Sequence, residues 1–344
     1  MKQYTKLKEQ RHDLREVLPL AKPYTVLIEP SNYCNFRCVS CFQSLKTKNY
    51  ITTHRTQMTL DMYRDIITQL KNWEGDKLKV LKLSLYGEPF TNPDFCEMLR
   101  IAKQSNIAER IETTTNASLI TSEIATHLVD YEIDYIRVSI YGGNQERYRE
   151  VTGVNHVNID AIYKNLEYIQ TYKHSQQKER PFVSVKMLDT FSVENEEFIQ
   201  RFSPVADETY IDTPHNWVAT EEKSFINSLY SSPEKQAQMK KNQQASFKNR
   251  KSCPMAFTTL AIRADGMVSP CCIDWSGNTN LTHLSQMSLR EIWDGISMYQ
   301  FRKMQLEGRN HENNSCRNCE FYKNSYYILD DIDGFPVEKL NYPK

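Results

Sequence analysis

Cys34, Cys38 and Cys41 stand in the spacing C-x3-C-x2-C. Three thiolates on so short a loop can hold three irons of an iron–sulfur cubane and leave the fourth iron open, since a closed cluster takes four. A zinc knuckle also uses closely spaced cysteines, but zinc needs a fourth Cys or His close by. None lies between Cys41 and His54, so the spacing favours a cluster with an open iron. A second set, Cys253, Cys271, Cys272, Cys316 and Cys319, fills the last third of the chain. It reads C-P, then G-x-V-x-P-C-C from Gly266 to Cys272, then C-x2-C. Four of these thiolates could close a cluster site, and a zinc ribbon could use the same four. Cys96 lies in a helical pattern, DFCEML, and reads as a buried apolar thiol.

Chemistry of this kind needs elements that bring the loops together. Short apolar runs alternate with helical patterns, which predicts βαβ units and a parallel sheet. Strands are predicted at 24–30, 80–86, 110–115, 135–141, 183–188 and 208–212. Helices are predicted at 60–73, 94–104, 122–131, 159–172 and 194–202, the first capped by Thr59. Six strand–helix repeats imply a partial (β/α)6 barrel with right-handed crossovers. In parallel barrels the chemistry collects at the C-terminal ends of the strands, and the first cysteine loop follows the first strand. Residues 1–22 read as an N-terminal extension, 23–218 as the partial barrel, and 219–250 as a connector or lid rich in Lys, Gln, Asn and Ser. Residues 251–325 form a cysteine-bearing unit, and 326–344 a tail.

The chain has 344 residues, 43 basic and 43 acidic. A neutral chain offers no electrostatic footprint for a phosphate backbone or an anionic membrane, so no nucleic-acid partner is expected. No apolar run approaches the ~20 residues that span a bilayer, and the charged start lacks a signal core. A cytoplasmic location is therefore expected, where the nine cysteines stay reduced and serve as metal ligands rather than disulfides.

The stretch Cys34-Asn35-Phe36-Arg37-Cys38-Val39-Ser40-Cys41 after a strand resembles the radical S-adenosylmethionine (SAM) superfamily. The resemblance implies an α/β fold: a partial (β/α)6 radical SAM barrel with a small C-terminal iron–sulfur domain. It implies that Cys34, Cys38 and Cys41 hold a [4Fe–4S] cluster whose open iron chelates SAM. The family usually has an aromatic residue before the third cysteine; here that position is Ser40, and Phe42 is the aromatic group offered to adenine. Gly87-Glu88-Pro89 resembles the GGE-type motif that grips the SAM amino group, with Tyr86 at the place of the first glycine. The segments around Asn116 (TNA) and Ser139 (SIYG) resemble those that meet the ribose hydroxyls, and Arg149 falls near an arginine that reaches the SAM carboxylate.

The last third resembles the SPASM domain in its shortened form, twitch, which binds one auxiliary [4Fe–4S] cluster. The segment Ser288-Leu289-Arg290-Glu291-Ile292-Trp293 carries that likeness, and the cysteine spacing is similar to that of the 2-deoxy-scyllo-inosamine dehydrogenases. On that basis Cys253, Cys271, Cys316 and Cys319 are the expected ligands, with Cys271 chosen over Cys272. Cys272 is then a candidate hydrogen donor to a substrate radical. Lys186, on the fifth strand, and His215 and Trp217, after the sixth, are the substrate-site candidates.

The expected activity is hydrogen abstraction from a small carbohydrate-like substrate by a 5′-deoxyadenosyl radical. Dehydrogenation, with the auxiliary cluster accepting an electron from the substrate radical and a flavodoxin or ferredoxin as the external electron donor, is the leading expectation. Epimerisation, modification of a peptide or protein as in sulfatase activation, and a zinc-binding interaction protein are the alternatives. With the cluster loop starting at residue 34, no leader-recognition domain is expected before it.

Overall fold

The computed structural model describes residues 11–214, 224–230, 232–243, 250–317, 319, 321–324 and 327–341. All six predicted barrel strands form, each bounded within three residues of expectation: β1 (Thr25–Ile28), β2 (Leu78–Leu83), β3 (Ala108–Thr115), β4 (Tyr135–Ile140), β5 (Phe182–Leu188) and β6 (Glu208–Asp212). β7 (Thr259–Ile262), β8 (Met267–Ser269) and β9 (Thr282–His283) follow. One nine-stranded sheet runs in the order β6-β5-β4-β3-β2-β1-β7-β8-β9. Every pairing from β6 to β7 is parallel, and the β7–β8–β9 ribbon is antiparallel.

The helices between barrel strands form because their starts are capped and their apolar residues recur at helical spacing. Thr59 accepts a hydrogen bond from the Met62 amide, and the Leu60–Asn72 helix buries Tyr63, Ile66, Ile67 and Leu70. Thr121 caps Ser122–Asp130 in the same way. Along the strands, Leu81 and Leu83, Ile136, Val138 and Ile140, and Val183, Val185 and Met187 join the core shared with these helices. Side chains alternate faces along a strand. The residues between those apolar positions, Lys82, Arg137, Ser139, Ser184 and Lys186, therefore share the opposite, concave face. In register they sit beside one another: Lys82 beside Glu112, Thr114 beside Arg137, and Lys186 between Ser139 and Tyr210.

The cysteine-bearing unit shares the barrel sheet. β7 pairs with β1 along its full length, Thr25 with Thr259 to Ile28 with Ile262. The segment Ser288–Trp293 builds the helix Leu289–Asp294, with Ser288 and Glu291 forming a reciprocal capping box. Its buried Trp293 donates its indole N–H to the Leu20 carbonyl, and Gln69 accepts from the Leu289 amide, which docks the unit on the first barrel helix. The tail is ordered as far as it is described. Ile332, Phe335 and Leu340 pack with Leu14, Leu18 and Phe257, and Asp333 accepts from the Lys251 and Ser252 amides.

Candidate functional site

The loop after β1 carries the first three thiols, and three segments hold it. The Arg37 amide donates to the Thr152 carbonyl (3.0 Å) and the Val39 amide to the Val151 carbonyl (2.8 Å), so the end of the Gln145–Thr152 helix brackets Cys38. Gln43 donates its side-chain amide to the Asn32 and Tyr86 carbonyls. Asn35 and Asn116 hydrogen bond to each other at 2.9 Å, tying the loop to the end of β3. The Phe36 amide donates to Cys34 Sγ and the Gln43 amide to Cys41 Sγ, each at 3.5 Å. All three sulfurs act on one residue: burial pushes the Tyr141 phenol far up, and Cys38, Cys41 and Cys34 push it further. Burial likewise lifts Cys34 to about 12, with Glu88 and Cys41 adding to it. Three largely desolvated thiols on one loop, Cys34 held protonated by burial, are a donor set that a positively charged iron core would deprotonate and hold, which fits a cluster.

Gly87 and Glu88 serve this loop from below. A Cβ on Gly87 would fall on the carbonyl oxygens of Ser31 and Tyr33 and lie 2.7 Å from the Asn32 carbonyl carbon. The Glu88 amide donates to the Tyr33 carbonyl at 2.7 Å. Gly87 is therefore required by the close approach of the cysteine loop's own backbone. Gly87→Ala should displace that loop, with a cost of about 1–3 kcal/mol for the forced overlap. Anaerobic Gly87→Ala protein is expected to melt earlier and to carry less iron; wild-type iron content and melting would contradict this packing. The Glu88 carboxylate accepts from Thr115 Oγ1 (2.6 Å), the Asn116 amide (2.8 Å) and the Phe90 amide (3.4 Å). Burial raises it to about 7 against those donors. Its side chain thus ties the ends of β2 and β3 together.

Other assigned positions separate. Ser139 is buried on the concave face beside Lys186 in the next strand. Phe42, offered to adenine, is fully buried: its ring stacks on Trp275 at 5.5 Å and 2°, and meets Tyr86 edge-on. It joins barrel to cysteine unit. Arg149 is exposed on the Gln145–Thr152 helix, whose buried face is Tyr148, Val151 and Thr152, so helical periodicity turns it to solvent. His215 and Trp217 lie outside the described residues. Part of the connector does cover the strand ends: Phe225, Leu229, Tyr230 and Met239 pack with Phe42, Tyr86 and Val151.

In the second thiol set Cys271 and Cys272 are placed differently. Cys253, Cys271, Cys316 and Cys319 line one cavity of about 260 Å³, together with Trp275 and Tyr322; Cys272 is not part of its lining. Among the described residues no three His, Cys, Asp or Glu side chains are grouped as for a single metal ion. The Ile273 amide donates to Cys271 Sγ (3.5 Å) and Gln305 Nε2 to Cys316 Sγ (3.6 Å), supplying polar support to two sulfurs. Buried Asp274 accepts from Ser315 and Thr279 and so ties the Cys271 loop to the Cys316 helix. Cys272 lies near Lys82 as well as near the other thiols: burial lifts it to about 11, Lys82 pulls it down and Cys319 pushes it up.

Lys82 belongs to a charged set on the concave face, of which the sequence reading names only Lys186. Lys186 Nζ meets Asp212 Oδ2 at 2.6 Å, and Lys82 Nζ lies 3.8 Å from Glu112 Oε1. Burial lowers Lys82 to about 8, with Arg137 acting in the same direction. Glu112 is held below its ordinary value even though burial opposes this, because Lys82, Arg110 and Arg137 surround it. Parallel strands covered on both faces read as continuous apolar runs. The alternation in LKVLKL, YIRVSI and FVSVKML was the signal of a polar inner face.

The fold and its two thiol sets define an iron–sulfur protein built on an open parallel barrel. Residues 28–180 match the Radical SAM superfamily and residues 253–320 the SPASM iron–sulfur cluster-binding domain. The chain therefore carries a Radical SAM domain followed by a SPASM domain, and these domains imply iron–sulfur clusters in place of the zinc alternative. A Pyrococcus furiosus protein, the tungsten-containing aldehyde ferredoxin oxidoreductase cofactor-modifying protein, is 23% identical over 47% of this chain and 43% of its own length. The chain thus aligns with less than half of that relative. Among solved structures, BtrN in complex with AdoMet and 2-DOIA superposes with TM-score 0.53 and 16% identity, covering 87% of this chain and 93% of BtrN. Streptococcus suis SuiB bound to precursor peptide SuiA gives TM-score 0.59 and 15% identity, covering 96% of this chain and 77% of SuiB. These likenesses show the shared fold. No described helix is long and apolar enough to cross a membrane.

Proposed function

We propose that this enzyme oxidises a small, polar, carbohydrate-like molecule held on the concave face of the sheet. The observation that carries the reading is the charged inner face: Lys82, Glu112, Arg137, Lys186 and Asp212 on five adjacent strands. Interiors of closed (β/α)8 barrels are filled mainly by branched apolar side chains. Burying ions in place of such a core is costly unless they are paired or bind something polar. A sugar, amino sugar, cyclitol or nucleotide sugar offers hydroxyl and amino groups that exchange hydrogen bonds with both signs of charge. The complex of BtrN with 2-DOIA supports a small-molecule substrate on this fold.

Cys34, Cys38 and Cys41 would hold the SAM-binding cluster, and Cys253, Cys271, Cys316 and Cys319 the auxiliary one. Bound SAM and clusters supply a hydrogen-abstracting 5′-deoxyadenosyl radical and a one-electron sink. The chain's own part is to orient the substrate's C–H bond: Lys186 with Asp212 and Lys82 with Glu112 are poised to anchor its polar groups. The Phe225–Leu229 and Pro233–Gln243 helices pack over the strand ends and exclude water. A carbinol oxidised there would lose its C–H hydrogen atom, one further electron and its hydroxyl proton. A flavodoxin- or ferredoxin-type protein is the proposed external donor.

A specific observation favours epimerisation as a second reading: Cys272 lies near Lys82 of the concave face and is not part of the lining of the cavity of the other four thiols. A thiol there could return a hydrogen atom to the substrate radical. Anaerobic incubation with SAM, dithionite and a panel of sugars, amino sugars and cyclitols decides between them. Dehydrogenation yields 5′-deoxyadenosine and product lighter by two hydrogens, in both wild type and Cys272→Ala. Epimerisation yields product of unchanged mass that takes up solvent deuterium, and Cys272→Ala stops it. Turnover of a peptide and none of these small molecules would refute the proposal.

A further inference from the structure

Among the described residues several buried polar side-chain atoms lack a hydrogen-bond partner, and the Tyr148 hydroxyl is the one that lies against the cysteine loop. Tyr148 is fully buried, and its hydroxyl meets no hydrogen-bond acceptor. Buried hydroxyls are almost always satisfied, so such an orphan calls for a missing acceptor. Its surroundings name that acceptor. The Tyr148 ring packs edge-on against Phe36, at 6.0 Å and 84°, within the cysteine loop. Three and four residues further on, Val151 and Thr152 accept from Val39 and Arg37, on either side of Cys38. Gly153 then packs so tightly that a Cβ would lie 3.2 Å from the Arg37 carbonyl carbon, which fixes the helix against the loop. Gly142 fixes the other end, where a Cβ would lie 2.7 Å from the Tyr148 amide nitrogen. Among ionisable neighbours Cys38 acts on this phenol most strongly, followed by Glu88 and Cys34. Glu88 already accepts from Thr115, Asn116 and Phe90.

We propose that the Tyr148 hydroxyl donates a hydrogen bond to a sulfide of the SAM-binding cluster beside Cys38, and thereby raises that cluster's reduction potential. The inference rests on the assignment of Cys34, Cys38 and Cys41 as cluster ligands. Hydrogen bonds to cluster sulfurs are a recognised control on potential. A donor binds an ionised acceptor more strongly as its negative charge grows, so it favours the reduced cluster over the oxidised one. No atom is transferred and Tyr148 stays protonated throughout.

The test is an anaerobic EPR-monitored redox titration of the reconstituted two-cluster enzyme. The SAM-binding cluster is identified as the signal that changes when SAM is added. Tyr148→Phe should make its reduction about tenfold less favourable, a shift of about 59 mV to lower potential for one electron. The auxiliary cluster's potential should stay where it is. Replacing Tyr148 by 3-fluorotyrosine keeps the shape but strengthens the donor, and should move the same potential upward. Opposite shifts at that cluster alone establish the contact. Unchanged potentials in both variants overturn it, as does an equal shift of both clusters. If Tyr148→Phe fails to load iron, the fluorinated protein decides. A wild-type enzyme with no SAM-responsive signal would instead reject the cluster assignment itself.

Discussion

Cys38→Ala protein, prepared anaerobically, should carry about four irons per chain in place of about eight and release no 5′-deoxyadenosine above background. Against the lower end of enzymic rate enhancement this is a loss of at least about 10⁶-fold. The prediction isolates the thiolate, because the loop's backbone hydrogen bonds do not use the Cys38 side chain. The bonds from Arg37 to Thr152, Val39 to Val151 and Cys41 to the Cys38 carbonyl are all made by backbone. An alanine keeps every one of them, so melting of the metal-free variant should match that of metal-free wild type. With two thiolates left, the cubane loses its hold, and with it the open iron that chelates SAM. Iron analysis and chromatography of quenched reactions read both halves. Wild-type 5′-deoxyadenosine yield from Cys38→Ala would remove the basis of the whole functional reading.

The second large effect separates two adjacent cysteines. Cys271→Ala should lower iron by about half and abolish net two-electron oxidation, while SAM cleavage in the presence of dithionite continues. Cys272→Ala should keep the full complement of iron. The contrast follows from the cavity, which Cys271 lines with Cys253, Cys316 and Cys319 and which Cys272 does not. The Ile273 amide donating to Cys271 Sγ marks that sulfur as the supported one. Residual iron measured alongside the Mössbauer signature of the remaining cluster would tell a lost auxiliary site from general damage. Equal iron loss in the two variants would show that the pair shares ligation.

Much of the barrel was legible because its signals are local. Thr59 and Thr121 cap helices where the apolar periodicity begins, and the strand runs carry β-branched residues between turn signals. The C-x3-C-x2-C loop falls just after β1 and Gly87-Glu88 just after β2, as the barrel rule requires. The Ser288–Trp293 segment was recognised from its sequence, and its capping box explains why it folds as a helix. What escaped the reading depended on which way side chains face and on distant pairing. The strand at Thr259–Ile262 was read within a separate unit, yet it extends the barrel sheet beside β1, since parallel partners can be any distance apart in sequence. The stacking of Phe42 on Trp275 joins residues more than 200 positions apart, and the exposure of Arg149 follows from helical phase.

By itself the sequence determined the chemistry available: two sets of thiols, their spacing, and the strand–helix rhythm that puts the first set at a strand end. Those follow from short-range rules, in which a few neighbouring residues settle conformation and ligand type. Only the tertiary structure decided the use of each group. It placed Cys271 in the lining of the cavity and Cys272 near Lys82. It brought five charged side chains from five strands onto one face and left the Tyr148 hydroxyl buried against the cysteine loop. Each of these depends on the packing of segments that lie far apart along the chain, and such packing is set by the sum of many weak contacts rather than by any local pattern.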